Sequence, residues 1–327
     1  MGVALTPGRR SYGTIPVTSL ASGLELRIPI HIVAGAQPGP TLGLLATTHG
    51  DEVAPIEIIR RALDAVDPRA LRGNLVAMPV ANPIALEWGT RNTPTDMLNL
   101  NRSFPGNPIG YFSEQLAVVL ARYVENLDCL VDYHSGGADC AISYVFATTT
   151  GNPYADRVLE LSKVYGLGIV YEGPWFGGTI SEYAKSVNIP AVIVEAGGGL
   201  ATEARILDDA VRGVSNLMKH LGMLDGRPVL PREQLLVHRR PPNPRPRFGG
   251  LFYPELGLDM LGKVVPGGTV LARIRHPFTF EEIEQITAPC EETLLIMMRA
   301  AFSKVHPGDF AYIVADMKTA ERLINEG

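Results

Sequence analysis

The 327-residue chain is poor in cysteine and tryptophan and has no long apolar run. Its three cysteines, Cys129, Cys140 and Cys290, are odd in number and far apart, so neither a disulfide framework nor a CxxC zinc site follows from them. A reducing, cytoplasmic setting is the simpler expectation. No stretch approaches the ~18 apolar residues of a transmembrane helix, and no apolar signal-peptide core stands near the start, so no membrane partner is expected. The first six residues fit the loose N-myristoylation pattern, which short sequences match by accident, and no polybasic patch follows to reinforce such an anchor. Charge of one sign is also missing in excess. Twenty-nine basic and 34 acidic side chains leave a formal −5, which argues against nucleic acid as a partner.

Hydrophobic residues make up 46% and charged residues 19%, the composition of a soluble globular protein. The length suits one large domain with a small one attached. Residues 1 to about 40 read as short strands with Gly and Pro turns. Strands and helices then alternate. Leu42–Thr47 reads as a buried strand, about 55–65 as a helix opening on Pro55, and Leu75–Val80 as a strand. Leu116, Val119, Leu120, Tyr123 and Val124 repeat at helical spacing over about 113–126. Cys129–Tyr133 and Ala191–Val194 are further buried strands, and Leu207 to Leu221 marks a long amphipathic helix. This alternation predicts an α/β fold with a mixed, mostly parallel sheet flanked by helices. Residues 226–247 are rich in proline and arginine and read as a linker, either a plain spacer or a partner-binding strap. Residues 248–327 carry short apolar stretches between Gly and Pro, as a small all-β module would. The boundaries are thus 1–225, 226–247 and 248–327, with no internal repeat.

His49 and Glu52 form a His-x-x-Glu turn directly after a buried strand, where ligands of open α/β sheets bind. Both are standard zinc donors, and a third is needed. Of seven histidines (31, 49, 134, 220, 238, 276 and 306), only His134 also ends an apolar strand. Two imidazoles and one carboxylate leave a fourth position for water, as hydrolytic zinc sites require. Each motif alone has an ordinary reading, as a surface pair or a core histidine; their joint placement at strand ends favours the metal. Glu195 ends the run Ala191–Val194 ahead of Gly197, Gly198 and Gly199. It is positioned to accept a proton from water, and partial burial would raise its pKa into a useful range. On the loop 89–106, Arg91 and Arg102 offer forks for a carboxylate and Asn101 an amide donor. Salt bridges pinning that loop are the alternative.

His49-Gly50-Asp51-Glu52, Asn101-Arg102-Ser103-Phe104-Pro105-Gly106, Asp132-Tyr133-His134-Ser135-Gly136-Gly137 and Glu195 resemble, in order and spacing, the succinylglutamate desuccinylase/aspartoacylase family. That family is similar in fold to the zinc carboxypeptidases. The resemblance implies one Zn2+ per chain on His49, Glu52 and His134, with Glu195 as general base and later acid. It implies Arg91, Asn101 and Arg102 as substrate-binding residues. The substrate would be a small, anionic N-acyl amino acid, and the chain looks more like bacterial deacylases of N-acetylated amino acids, such as N-acetyl-diaminobutyrate deacetylase, than like aspartoacylase. A carboxypeptidase of short peptides and a non-catalytic metal- or ligand-binding module remain alternatives. Asn99 departs from the pattern, standing where many members have Asp, and no position matches the family's later substrate Arg and Tyr. The C-terminal module resembles a barrel-sandwich domain of the biotinyl-carrier type. It lacks the Met-Lys-Met attachment hairpin, so Lys263 reads as a surface lysine. The module would cover the active-site mouth or support a homo-oligomer.

Overall fold

A computed structural model describes residues 5–174, 176–198, 202–238 and 240–325. Most of the myristoylation pattern, together with Gly199 and Arg239, lies outside them. The N-terminal third opens with β1 (Arg9–Ser19), β2 (Glu25–Ala34) and β3 (Gln37–Leu45). These are long strands rather than the short ones expected. In β2, Leu26, Ile28, Ile30 and Ile32 alternate with more accessible residues, and that period of two marks the strand from Glu25 to Ile32 before it becomes buried on both faces at Val33 and Ala34.

Then follow α1 (Ala54–Ala65), β4 (Arg72–Met78), α2 (Pro83–Trp88), α3 (Phe112–Val124) and β5 (Cys129–His134). Next come β6 (Cys140–Thr148), α4 (Ala155–Tyr165), β7 (Ile169–Gly173), α5 (Ile180–Ser186), β8 (Ala191–Gly197) and α6 (Ala204–His220). The strand β9 (Glu233–Val237) lies inside the segment read as a linker. Prolines cluster before and after it, and those five residues between them are free to pair.

The sheet runs β1-β2-β4-β3-β5-β8-β6-β7-β9. The pairings β4-β3, β3-β5, β5-β8, β6-β7 and β7-β9 are parallel; the edge hairpin, β2-β4 and β8-β6 are antiparallel. The fold is therefore mixed α/β, as the alternation predicted. Side-chain parity divides the sheet into two faces. Cys129, Val131 and Tyr133 of β5 and Val192, Val194 and Ala196 of β8 join the core under α1, α4 and α6. Leu130 and Ala191 join the core under α3 and α5. Ile58 of α1 and Leu217 of α6 are fully buried in the first core, each worth about 1.5–3 kcal/mol of apolar transfer.

The C-terminal residues form β10 (Gly250–Pro254), β11 (Val264–Pro266), β12 (Val270–Arg275) and β13 (Glu282–Thr287). They continue with β14 (Glu292–Arg299), β15 (Ser303–Val305), β16 (Tyr312–Asp316) and β17 (Ala320–Ile324). One antiparallel sheet runs β13-β12-β10-β15. The expected barrel does not close among the described residues. Instead β14 pairs with β6 and β17 with β9, so the module extends the large sheet. β14 is buried along nearly its whole length, and pairing on both of its edges satisfies its backbone. Lys263 is exposed near Asp259, as a surface lysine would be.

Candidate active site

Strand parity delivers the site. Leu130, Asp132 and His134 alternate on one face of β5, and Ala191, Ile193 and Glu195 on the same face of β8. The register sets His134 directly opposite Glu195. β3 ends at Leu45, and Thr47 takes a positive φ of 56° that turns the chain toward His49 and Glu52. Gly50 is required there, because a Cβ would collide with the Ala85 carbonyl of α2.

His49, Glu52 and His134 are all buried, and their donor atoms lie within 4.8 Å of one another. Glu52 Oε1 is 2.8 Å from His49 Nδ1, and Glu52 Oε2 is 2.8 Å from His134 Nδ1. Both Nδ1 atoms thus face one carboxylate. The outer nitrogens are held from behind. His49 Nε2 lies 3.1 Å from Asn99 Oδ1, and His134 Nε2 lies 3.5 Å from Asp132 Oδ1. The acceptor behind His49 keeps its inner nitrogen free for a cation, the arrangement seen around metal-ligating histidines, whereas His134 Nε2 also faces the Asn101 amide nitrogen at 3.0 Å. The donor set fits a divalent metal.

Burial by itself would raise the Glu52 carboxyl, but the two imidazoles reverse this and hold it well below the carboxylate range. Burial likewise opposes charge on His134, and Asp132 and Glu52 outweigh it, so its pKa is raised. Glu195 behaves oppositely to Glu52. Its carboxyl is pushed up to about 7, first by burial; the His134 charge pulls it down and the Glu52 charge adds to the rise. Two neighbouring carboxylates therefore hold unlike protonation tendencies, the pattern of a ligand beside a proton carrier.

The loop residues converge on the same place. Asn101 Oδ1 accepts from the Ile180 backbone N–H at 3.0 Å, which fixes the amide so that its Nδ2 faces the His134 ring at 3.0 Å. Arg91 Nη1 sits 3.0 Å from Glu52 Oε1, so this guanidinium and a bound cation would compete for the same oxygen. Arg102 donates to the Asn101 carbonyl at 2.6 Å and packs 5.6 Å from the Phe176 ring centroid. All seven residues expected from the sequence line one cleft of about 580 Å³.

Residues 38–221 match the succinylglutamate desuccinylase/aspartoacylase catalytic domain, more than half of the chain. The chain belongs to this family. It is an enzyme family of N-acyl amino acid deacylases. A curated relative is the N-alpha-acetyl-L-2,4-diaminobutyric acid deacetylase of Halomonas elongata, 27% identical over 313 residues, covering 89% of this chain and 86% of the relative. The fold is similar to the product-bound ectoine utilization protein EutE (DoeB) of Ruegeria pomeroyi, with a TM-score of 0.85 at 24% identity over 97% and 98% of the two chains. It is also similar to a succinylglutamate desuccinylase from Silicibacter sp. TM1040, with a TM-score of 0.84 at 22% identity over 96% and 97%.

Sequence reasoning missed the rest of the cleft. Its floor is Ile142, Tyr144 and Phe146 of β6 with Ile193, and Met297 and Ile313 come from the C-terminal strands. Arg240, Arg299 and Phe310 also line it. The alternation Cys140, Ile142, Tyr144, Phe146 was a usable signal for one strand face. Nothing local in Arg240 or Arg299 marks a residue that reaches a site built some 50 to 250 positions earlier in the chain.

Proposed function

We propose that the chain is a zinc-dependent amidohydrolase that cleaves the amide of a small N-acyl amino acid, releasing a carboxylate and a free amine. The carrying observation is the buried His49–Glu52–His134 donor set with Glu195 opposite His134 on the next strand. Two imidazole nitrogens and a carboxylate oxygen are ordinary zinc donors that leave one position open. Zinc held there would polarise the scissile carbonyl and acidify a water.

Glu195 is the base that takes a proton from the attacking water, and it then returns that proton to the departing nitrogen. A carboxyl pushed up to about 7 serves both halves of that exchange near neutral pH. Asn101, its amide locked by Ile180, presents N–H to the cleft. Arg102 and Arg91 would hold the substrate carboxylate, converting a diffusional encounter into a positioned one. A carboxypeptidase would need a groove open to a peptide. The relative named as an N-alpha-acetyl-L-2,4-diaminobutyric acid deacetylase supports the small-substrate reading over the peptidase one. The buried, unbridged Cys129 and Cys140 fit a cytoplasmic location.

The test is hydrolysis of N-acetyl, N-formyl and N-succinyl amino acids by the zinc-loaded protein, read by released amine. Turnover of at least one class, abolished by chelation, is expected. Stoichiometric zinc without turnover across the panel would leave the binding-module reading standing instead.

A further inference from the structure

The two imidazoles of the cleft are backed by different chemistry. On the outer side of His134 stands a carboxylate. Asp132 Oδ1 lies 3.5 Å from Nε2, and Asp132 Oδ2 accepts from the Ser181 hydroxyl at 2.9 Å. On the outer side of His49 stands a neutral amide, Asn99 Oδ1, 3.1 Å from Nε2. Among the described residues, the carboxylate paired with His49 is Glu52, and it sits on the other nitrogen. Asn99 occupies the position where many members of the family carry Asp.

The orientation of this amide is fixed by its second contact. Asn99 Oδ1 also accepts from the Asn101 backbone N–H at 2.9 Å, and a backbone N–H only donates. The atom facing His49 Nε2 is therefore the oxygen, and the imidazole carries its proton on Nε2. Nδ1 is left as the bare nitrogen, the one a cation takes. Asn99 is itself held, because its backbone carbonyl accepts from the Arg102 N–H at 2.9 Å and from the Ser103 hydroxyl at 3.1 Å. One side-chain oxygen thus ties the His49–Glu52 turn to the loop that carries Asn101 and Arg102. An uncharged acceptor orients the ring but draws only weakly on its proton. A carboxylate in the same place would draw harder, push electron density toward Nδ1 and make His49 a stronger donor.

We propose that Asn99 is a positioning residue that fixes the His49 tautomer with a neutral acceptor, so that a cation on His49, Glu52 and His134 is held less tightly, and stays more polarising, than a carboxylate at position 99 would make it. The proposal rests on the zinc reading of the site and on nothing about the acyl group or the amine.

The test is zinc affinity, measured by competition with a chromophoric chelator, for the wild type, Asn99→Asp and Asn99→Ala. Aspartate can keep the bond to the Asn101 N–H, since Asn and Asp cap such turns equally well, and so changes the charge behind His49 alone. Asn99→Asp should tighten zinc by roughly 10- to 100-fold, the scale on which outer partners of metal-bound histidines act, and Asn99→Ala should weaken it by a similar factor. A residue that served only the shape of the loop would lose affinity as Ala and gain none as Asp. With zinc saturating, kcat of Asn99→Asp on the N-acyl amino acid that the wild type hydrolyses should fall. Zinc no tighter in Asn99→Asp than in the wild type, or an unchanged kcat at saturation, overturns the proposal. An unchanged affinity in Asn99→Ala overturns it as well, whatever the fate of the aspartate variant. Tighter zinc in Asn99→Asp, with no N-acyl amino acid hydrolysed by the wild type, would sink the amidohydrolase reading and leave Asn99 in its role.

Discussion

Glu52 is a buried carboxylate held by two imidazoles and Arg91, and removing either imidazole takes away one of the three partners that offset its charge. His49→Ala and His134→Ala should each lose the metal as well as activity, measured as zinc per chain after dialysis against a weak chelator. A full complement of zinc in either variant would show that the donors lie elsewhere. Glu195→Gln should keep one zinc per chain and lose turnover by at least ~10²-fold, the usual scale for a missing general base. As the proposed base, Glu195 would also set a pH dependence. Only its ionised form accepts a proton, and a neighbouring dication favours that form, so kcat/KM should rise with pH along an acidic limb whose midpoint lies at or below about 7. The limb should vanish from the residual activity of Glu195→Gln. Its persistence would assign the titration to another group.

At the scale of elements, the site depends on how closely the His49–Glu52 turn approaches α2. Gly50 touches the Ala85 backbone, and its N–H donates to the Thr90 carbonyl at 2.8 Å. Gly50→Ala must therefore move the turn or the helix. We expect a loss of about 1–3 kcal/mol, as for overpacking in a close-packed interior, and weaker zinc binding because His49 and Glu52 move together. Thermal unfolding with chelator competition checks both; unchanged zinc affinity would mean that the turn is not set by α2. The elements that position the proposed metal donors and base were also the legible ones. The apolar runs Leu42–Thr47, Cys129–Tyr133 and Ala191–Val194, which overlap β3, β5 and β8, lead into His49-x-x-Glu52, His134 and Glu195, and α1, α3 and α6 show helical apolar spacing. What was hidden depends on pairing across distance. β9 is five residues between proline clusters, and its strand character comes from β7 and β17 rather than from its own composition. The C-terminal strands carry the alternation of a separate sandwich, yet β14 finds its partner in β6, some 150 residues earlier in the chain.

For the whole molecule, the cleft holds opposed carboxylates whose conflict a bound cation would relieve. Glu52 and Glu195 face the same donors, and with the metal removed their proton balances tilt stability in opposite directions. Glu195 has a folded pKa of about 7 against 4.5 for an ordinary glutamate. Below about 4.5 both folded and unfolded chains hold its proton and it contributes no slope. Between about 4.5 and 7 the folded chain binds the proton and the unfolded chain does not, so stability falls as pH rises; above about 7 the full cost of the buried charge is present. Glu52 works the other way, because its folded pKa is depressed, and its stabilisation is lost as pH falls below the ordinary glutamate range. In the metal-free protein, Glu195→Gln removes only the first of these. The variant should therefore gain stability over the wild type at pH 8 and lose most of that advantage at pH 4.5, by chemical denaturation in the presence of chelator. The gap should narrow when zinc is restored, since a cation beside Glu195 offsets the charge that burial penalises. A stability difference that is the same at both pH values would mean that Glu195 is not held against its ionised state by the fold.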